Sequence, residues 1–117
     1  MKDVAVITVA FNKRAVLNIC IKELLKSNGK VNFDIFVIDN GSTEDILSLK
    51  RKHHINCLRL KKNYYVSKAF NLGFEHFKIA NNYSYTLIMG SDVLVAKDLI
   101  FKLATTLKKN PQIAVTG

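Results

Sequence analysis

Four polar residues stand where apolar runs end: Asn12 after VAVITVAF, Asp39 at the close of DIFVID, Asn63 after NCLRLKK, and Asp92 in LIMGSD. A carboxylate in such a place can accept a hydrogen bond from a ring N–H or a sugar hydroxyl, and an acid beside phosphates can hold a hard divalent cation. Phe11, next to Asn12, offers a flat apolar face on which a ring can stack. Each residue also has a plain structural use. Asp39 to Ser42 reads DNGS, which is turn chemistry, Asn12 suits the start of a helix, Phe11 suits a core, and Asp92 suits a strand-end turn. Their shared position at the ends of apolar runs gives the chemical reading its weight.

Those runs are short and rich in β-branched residues, as buried strands are. The pattern predicts strands at 4–11, 34–39, 56–60, 85–90 and 113–116. Helical spacing fills the gaps: Leu17, Cys20, Ile21, Leu24 and Leu25 fall on one face of a helix over 14–26, which SNG at 27–29 stops. STED at 42–45 has the form of a capping box, with Ser42 as N-cap of a helix running to about Lys52. Further helices are predicted over 67–79 and 97–109, the last closed by Asn110-Pro111.

Strand and helix in alternation require right-handed crossovers, hence an α/β fold: a Rossmann-like, mainly parallel sheet with helices on both faces. In such sheets ligands bind beyond the carboxyl ends of the strands, where strand order reverses. The expected order places the first strand centrally, between the second and the fourth, with Asn12 and Asp92 facing each other across the switch point. An aromatic wall, carboxylates and basic surroundings at that edge suit a nucleotide diphosphate.

Composition bounds the rest. The 117 residues, 49% hydrophobic and 23% charged, fit one core and therefore a single domain over 1–117. The start MKDVAVITVAFNKR resembles neither a secretion signal nor a membrane span, so a cytoplasmic protein is expected, with a peripheral membrane association compatible with its charge. Cys20 and Cys57 match no metal or redox spacing and read as reduced core thiols. Eighteen Lys and Arg against nine Asp and Glu give a net charge of +9, which attracts phosphorylated ligands or an anionic membrane surface. The basic residues are dispersed and not interleaved with aromatics, which argues against a nucleic-acid partner.

The ordered set VITVAFN, FVIDNGSTED, NYYVSKAFNLG and LIMGSDVLV resembles the nucleotide-binding half of family 2 glycosyltransferases of the GT-A fold, over essentially the whole chain. The resemblance matches Ala10, Phe11 and Asn12 to the end of the family's first strand, and Ile38 to Ser42 to its Val-Asp-Asn-Gly-Ser. It implies cofactor-binding or donor-binding roles for Ala10, Phe11, Asn12, Asp39, Asn40, Asn63 and Asn71, with Asp39 on the uracil or ribose of a nucleotide-diphosphate sugar, a UDP-sugar first. Asn63 and Asn71 belong to an Asn-x-Gly and Ala-x-Asn-x-Gly element, in which Tyr65 stands where the family has glycine. The family's metal motif falls on 90–92. Asp92 is its final acid, the implied ligand of Mg or Mn, and Gly90 takes the place of its first. The implied function is sugar transfer from the nucleotide donor to an acceptor, with this chain covering the donor part. The acceptor-binding half, and the acid that serves as general base there, are absent from these residues, so no catalytic residue is assigned. Two alternatives stay open: a non-catalytic nucleotide or nucleotide-sugar binding module, and a basic interaction protein for anionic polymers or membrane surfaces.

Overall fold

A computed structural model describes residues 2–27 and 31–117. Four strands, β1 (Lys2–Ala10), β2 (Phe33–Asp39), β3 (Asn56–Arg59) and β4 (Tyr83–Gly90), alternate with helices α1 (Arg14–Leu25), α2 (Ser48–His53), α3 (Val66–His76), α4 (Ile79–Asn82) and α5 (Leu99–Lys109). All pairings are parallel, in the order β3-β2-β1-β4. The first strand is thus central, between the second and fourth, as its unbroken apolar run requires.

Alternation along β1 sorts its side chains onto two cores. Val4, Val6 and Ala10 face Leu17, Cys20, Ile21 and Leu24 of α1, Leu49 of α2, and Ile100 and Ala104 of α5. Ala5 and Ile7 pack on the opposite face with Phe36, Ile38, Ala69 of α3 and Ile79 of α4. Helices therefore cover both faces, and the sheet is buried from each side as parallel sheets must be. Gly73 lets α3 lie close to β2: a Cβ there would fall 2.2 Å from Ile38 Cδ1.

The structure corrects three expected elements. The helix expected from Ser42 begins only at Ser48, because the supposed capping box is spent on other bonds. The Ser42 hydroxyl accepts the Asn12 N–H at 2.7 Å, and Asp45 Oδ1 accepts from Ser48 N at 3.1 Å. The helix expected over 67–79 divides into α3 and α4 at Lys78, which takes a left-handed conformation with φ 52°. Residues 113–116 form no strand: the Ile113 N–H closes a turn on the Asn110 carbonyl at 2.9 Å, and Val115 is exposed. The α1 helix ends at Leu25, so the SNG stop falls partly on Asn28 and Gly29, which lie outside the described residues.

Cys20 is buried and Cys57 half-buried, both as free thiols. Burial pushes the Cys57 thiol up from 9.0 to about 11, and the nearby Asp39 charge adds to the effect. Two pH units correspond to roughly 100-fold less thiolate near pH 8 than in the unfolded chain. Cys57 is accordingly expected to react with a disulfide reagent only after unfolding, and a rapid phase of two thiols in the native protein would contradict this. No described helix is long and apolar enough to cross a membrane.

Candidate nucleotide-sugar site

β1 stops where two successive residues, Asn12 and Lys13, adopt left-handed dihedrals with φ 55° and 53°. Asparagine tolerates this region and a lysine does so at a cost, so the turn must be held from outside. The loop after β2 holds it. Asn12 Oδ1 accepts from Thr43 N at 2.8 Å, Thr43 Oγ1 at 3.1 Å and Glu44 N at 3.1 Å. In return the Glu44 carboxylate accepts the Lys13 and Arg14 N–H groups at 2.7 and 3.2 Å. No side chain of α1 caps its own first turn. Glu44 satisfies those amides from 30 residues away and sets a negative charge at the positive end of the helix.

The second loop is organised around Asn40, which is 2% exposed. Its N–H donates to the Ala10 carbonyl at 2.8 Å, continuing the β1–β2 pairing past the strand ends. Its amide Nδ2 donates to Asn63 Oδ1 at 3.1 Å and to the Tyr65 carbonyl at 3.2 Å, while its Oδ1 accepts from Tyr64 N at 2.9 Å. Asn63 Oδ1 also accepts the Tyr65 N–H at 2.7 Å. These bonds fix Tyr65 at φ 65°, ψ 179°, directly before α3. That conformation belongs almost wholly to glycine, and a residue with a side chain persists there at a cost of about 1–3 kcal/mol. Gly41, with φ 78°, brings the turn against the Lys62–Asn63 backbone so closely that a Cβ would fall 2.5 Å from the Lys62 carbonyl carbon.

Between the ends of β1 and β4 lies a crevice of about 690 Å3, lined by residues that include Phe11, Lys13, Asn40, Asn63, Tyr65 and Asp92. It sits where strand order reverses, since the chain steps outward from β1 to β2 and β3 and then returns to the other side of β1. Of the residues singled out in the sequence, Phe11, Asn40, Asn63 and Asp92 come together here. Ala10 is fully buried and belongs to the core. Asn12 turns instead toward 43–44 as described. Asp39 is 1% exposed, does not line the crevice, and accepts the Ser42 N–H on Oδ1 at 3.0 Å. Asn71 lines a separate hollow with Phe74, Glu75 and Lys78.

Lys13, Val16 and Ile88 line the crevice without having been anticipated. Lys13 carried a readable signal, a base immediately after a strand end. Val16 and Ile88 carried none, because apolar residues in a helix and a strand are ordinarily core. Both are substantially exposed, and with Phe11 they add apolar surface to the crevice beside its polar residues.

As a cation site the crevice offers one acid. Among the described residues no three His, Cys, Asp or Glu side chains come together. At Gly90, the missing Cβ would sit 3.1 Å from Asp92 Oδ1, so the absence of a side chain there makes room for the Asp92 carboxylate. Such a donor set does not form a metal centre from protein groups only. It fits a magnesium-like ion that completes its shell with water and with phosphate oxygens of a ligand.

The model of glycosyl transferase family 2 matches residues 5–117. No curated protein matches the chain at the sequence level. Among solved structures, residues 1–349 of TarS from S. aureus superpose with a TM-score of 0.80 at 19% identity, over 93% of this chain and 33% of that one. That protein has also been solved with UDP-GlcNAc and with UDP. The mannosyltransferase PcManGT from Pyrobaculum calidifontis, in complex with GDP-Man and Mn2+, superposes with a TM-score of 0.73 at 16% identity, over 92% of this chain and 34% of that one. The present chain thus spans about a third of each. With the family model covering nearly its whole length, and an all-parallel sheet whose fold matches that of glycosyltransferases of known structure, the chain belongs to glycosyl transferase family 2.

Proposed function

We propose that the crevice binds the nucleotide-diphosphate part of a sugar donor, a UDP-sugar in the first place, and that the chain supplies the donor-binding part of a sugar transfer to an acceptor. One observation carries this reading: an aromatic face, a lysine and a carboxylate line a single crevice at the switch point of a parallel sheet. Phe11 offers a stacking surface to the base, Lys13 a positive charge to the diphosphate, and Asn63 a polar edge. The volume lies within the range of pockets that enclose small ligands, about 300–1,000 Å3. Complexes of structural relatives with UDP-GlcNAc, UDP and GDP-Man support a nucleotide-sugar ligand.

Asp92 is the residue that would hold a divalent cation jointly with the diphosphate. Bound there, the ion would neutralise the charge on the departing diphosphate. Asp39 acts from behind the crevice, by fixing the Ser42 amide and with it the loop that clasps Asn12. Asn71 lies outside the donor site.

Calorimetric titration of UDP with and without Mn2+ tests the assignment. The wild type is expected to bind more tightly with the ion, and Asp92→Asn to lose that gain while keeping its metal-free affinity. Equal metal dependence in both proteins would reduce Asp92 to a turn residue. Asp39→Ala should weaken UDP binding more than Asn71→Ala. No heat and no rise in melting temperature with any nucleotide at millimolar concentration would remove the donor-binding reading altogether.

A further inference from the structure

Tyr65 combines two properties that are each unfavourable in a resting protein. Its backbone occupies a conformation nearly exclusive to glycine, at φ 65° and ψ 179°, and as a large aromatic residue it is 83% exposed. The neighbouring Tyr64 shows what an aromatic residue here does when its role is structural: its ring packs against the core beneath α3, with Lys62 Nζ and Lys68 Nζ at 5.2 and 4.9 Å from its centroid. Tyr65 instead lines the crevice. Its conformation is enforced from both sides, the N–H by Asn63 Oδ1 and the carbonyl by Asn40 Nδ2. Both clamping residues also line the crevice, so the strain is held by the site itself. Glycine at this position would meet the same backbone demand without strain.

We propose that Tyr65 is a donor-binding residue that supplies a second aromatic wall, so that a nucleobase is held between its ring and that of Phe11. Phe11 follows β1 and Tyr65 precedes α3, so the two rings reach the crevice from different loops. Phe11 is itself 49% exposed, and a base between two such rings removes apolar area on both of its faces from water. The inference rests on the donor-binding reading above and adds to it the part of the ligand that this chain grips with a residue of its own.

Titration of UDP and of UMP into wild type, Tyr65→Gly and Tyr65→Phe, together with ligand-free melting curves, tests it. Tyr65→Gly is expected to melt at an equal or higher temperature, by up to about 8 °C as strain is released against the entropy of glycine, and to bind both nucleotides about 5- to 100-fold more weakly. Tyr65→Phe should stay within about twofold of wild type, since stacking needs the ring and not the hydroxyl. Wild-type binding with no loss in Tyr65→Gly would overturn the role of Tyr65 and leave the donor site standing, whereas absence of nucleotide binding in the wild type would overturn both. A fall in melting temperature with the fall in affinity would make Tyr65 a structural residue, against the proposal. A loss in Tyr65→Phe as large as in Tyr65→Gly would assign the contact to the hydroxyl, and a loss for UDP without one for UMP would assign it to the diphosphate; either overturns base stacking.

Discussion

Gly41→Ala is expected to destabilise the fold by about 2–5 kcal/mol, the sum of a left-handed conformation imposed on a residue with a side chain, about 1–2 kcal/mol, and overpacking of about 1–3 kcal/mol. The added methyl would fall 2.5 Å from the Lys62 carbonyl carbon and 2.8 Å from Asn63 N. Both are backbone atoms, so no rotamer change relieves the contact and the 62–63 segment must move outward. That movement carries Asn63 away from the Asn40 amide, and the crevice loses a wall along with the stability. Urea unfolding gives the first quantity and UDP titration the second. A variant with the urea midpoint of wild type and UDP affinity retained would overturn this account of the Gly41 turn.

Asn40→Asp is the most conservative change in volume and should still cost about 2–4 kcal/mol near neutral pH, because a buried donor becomes a buried charge facing two acceptors. The amide now gives its hydrogens to Asn63 Oδ1 and the Tyr65 carbonyl. A carboxylate there would repel both, and the acid at Asp39 stands next to it in the chain. The introduced carboxyl should therefore hold its proton more tightly in the folded than in the unfolded protein. A folded-state pKa raised in this way means that the folded protein binds more protons, so the deficit shrinks as pH falls through the raised pKa toward the ordinary carboxyl range. Denaturation at neutral pH and at about pH 5 separates this from simple misfit, which would be independent of pH. Asn40→Ala provides the second arm: it lacks the charge but strands the Tyr64 N–H, and its deficit should not vary with pH.

The strands were legible because a parallel sheet covered on both faces needs unbroken apolar runs, and VAVITVA, FVI and TLIM leave few other uses for such residues. The central place of β1 followed from the same fact. What misled was local chemistry with a distant partner. STED reads as a capping box, yet Ser42 serves Asn12 and Glu44 serves α1, so the helix waits until Ser48. Nothing in the sequence marks Lys78 as the break between α3 and α4, since the break comes from the chain's need to turn back into β4. At the site, the strand-end positions were readable and the division of labour was not. Asn12, Asp39 and Asn40 look alike as polar residues after strands. Only the tertiary bonds show that the first two build loops while the third both builds a loop and faces the crevice.

The exchange between Asn12 and the 42–44 loop also bears on the order in which the molecule assembles. α1 begins with amides that only Glu44 satisfies, so its first turn cannot be completed by nearby sequence, and the partner arrives only once β1 and β2 are aligned. Helix nucleation is already the unfavourable step, and here it is tied to closure of a loop of about thirty residues, an entropic toll that grows slowly with length but is never zero. Strand pairing and helix initiation should then occur as one cooperative unit that joins β1, β2 and the start of α1. The front of the crevice consequently has no existence as a local fluctuation: it appears and disappears with that unit, and a substitution that loosens β1 against β2 will lower stability and binding competence together.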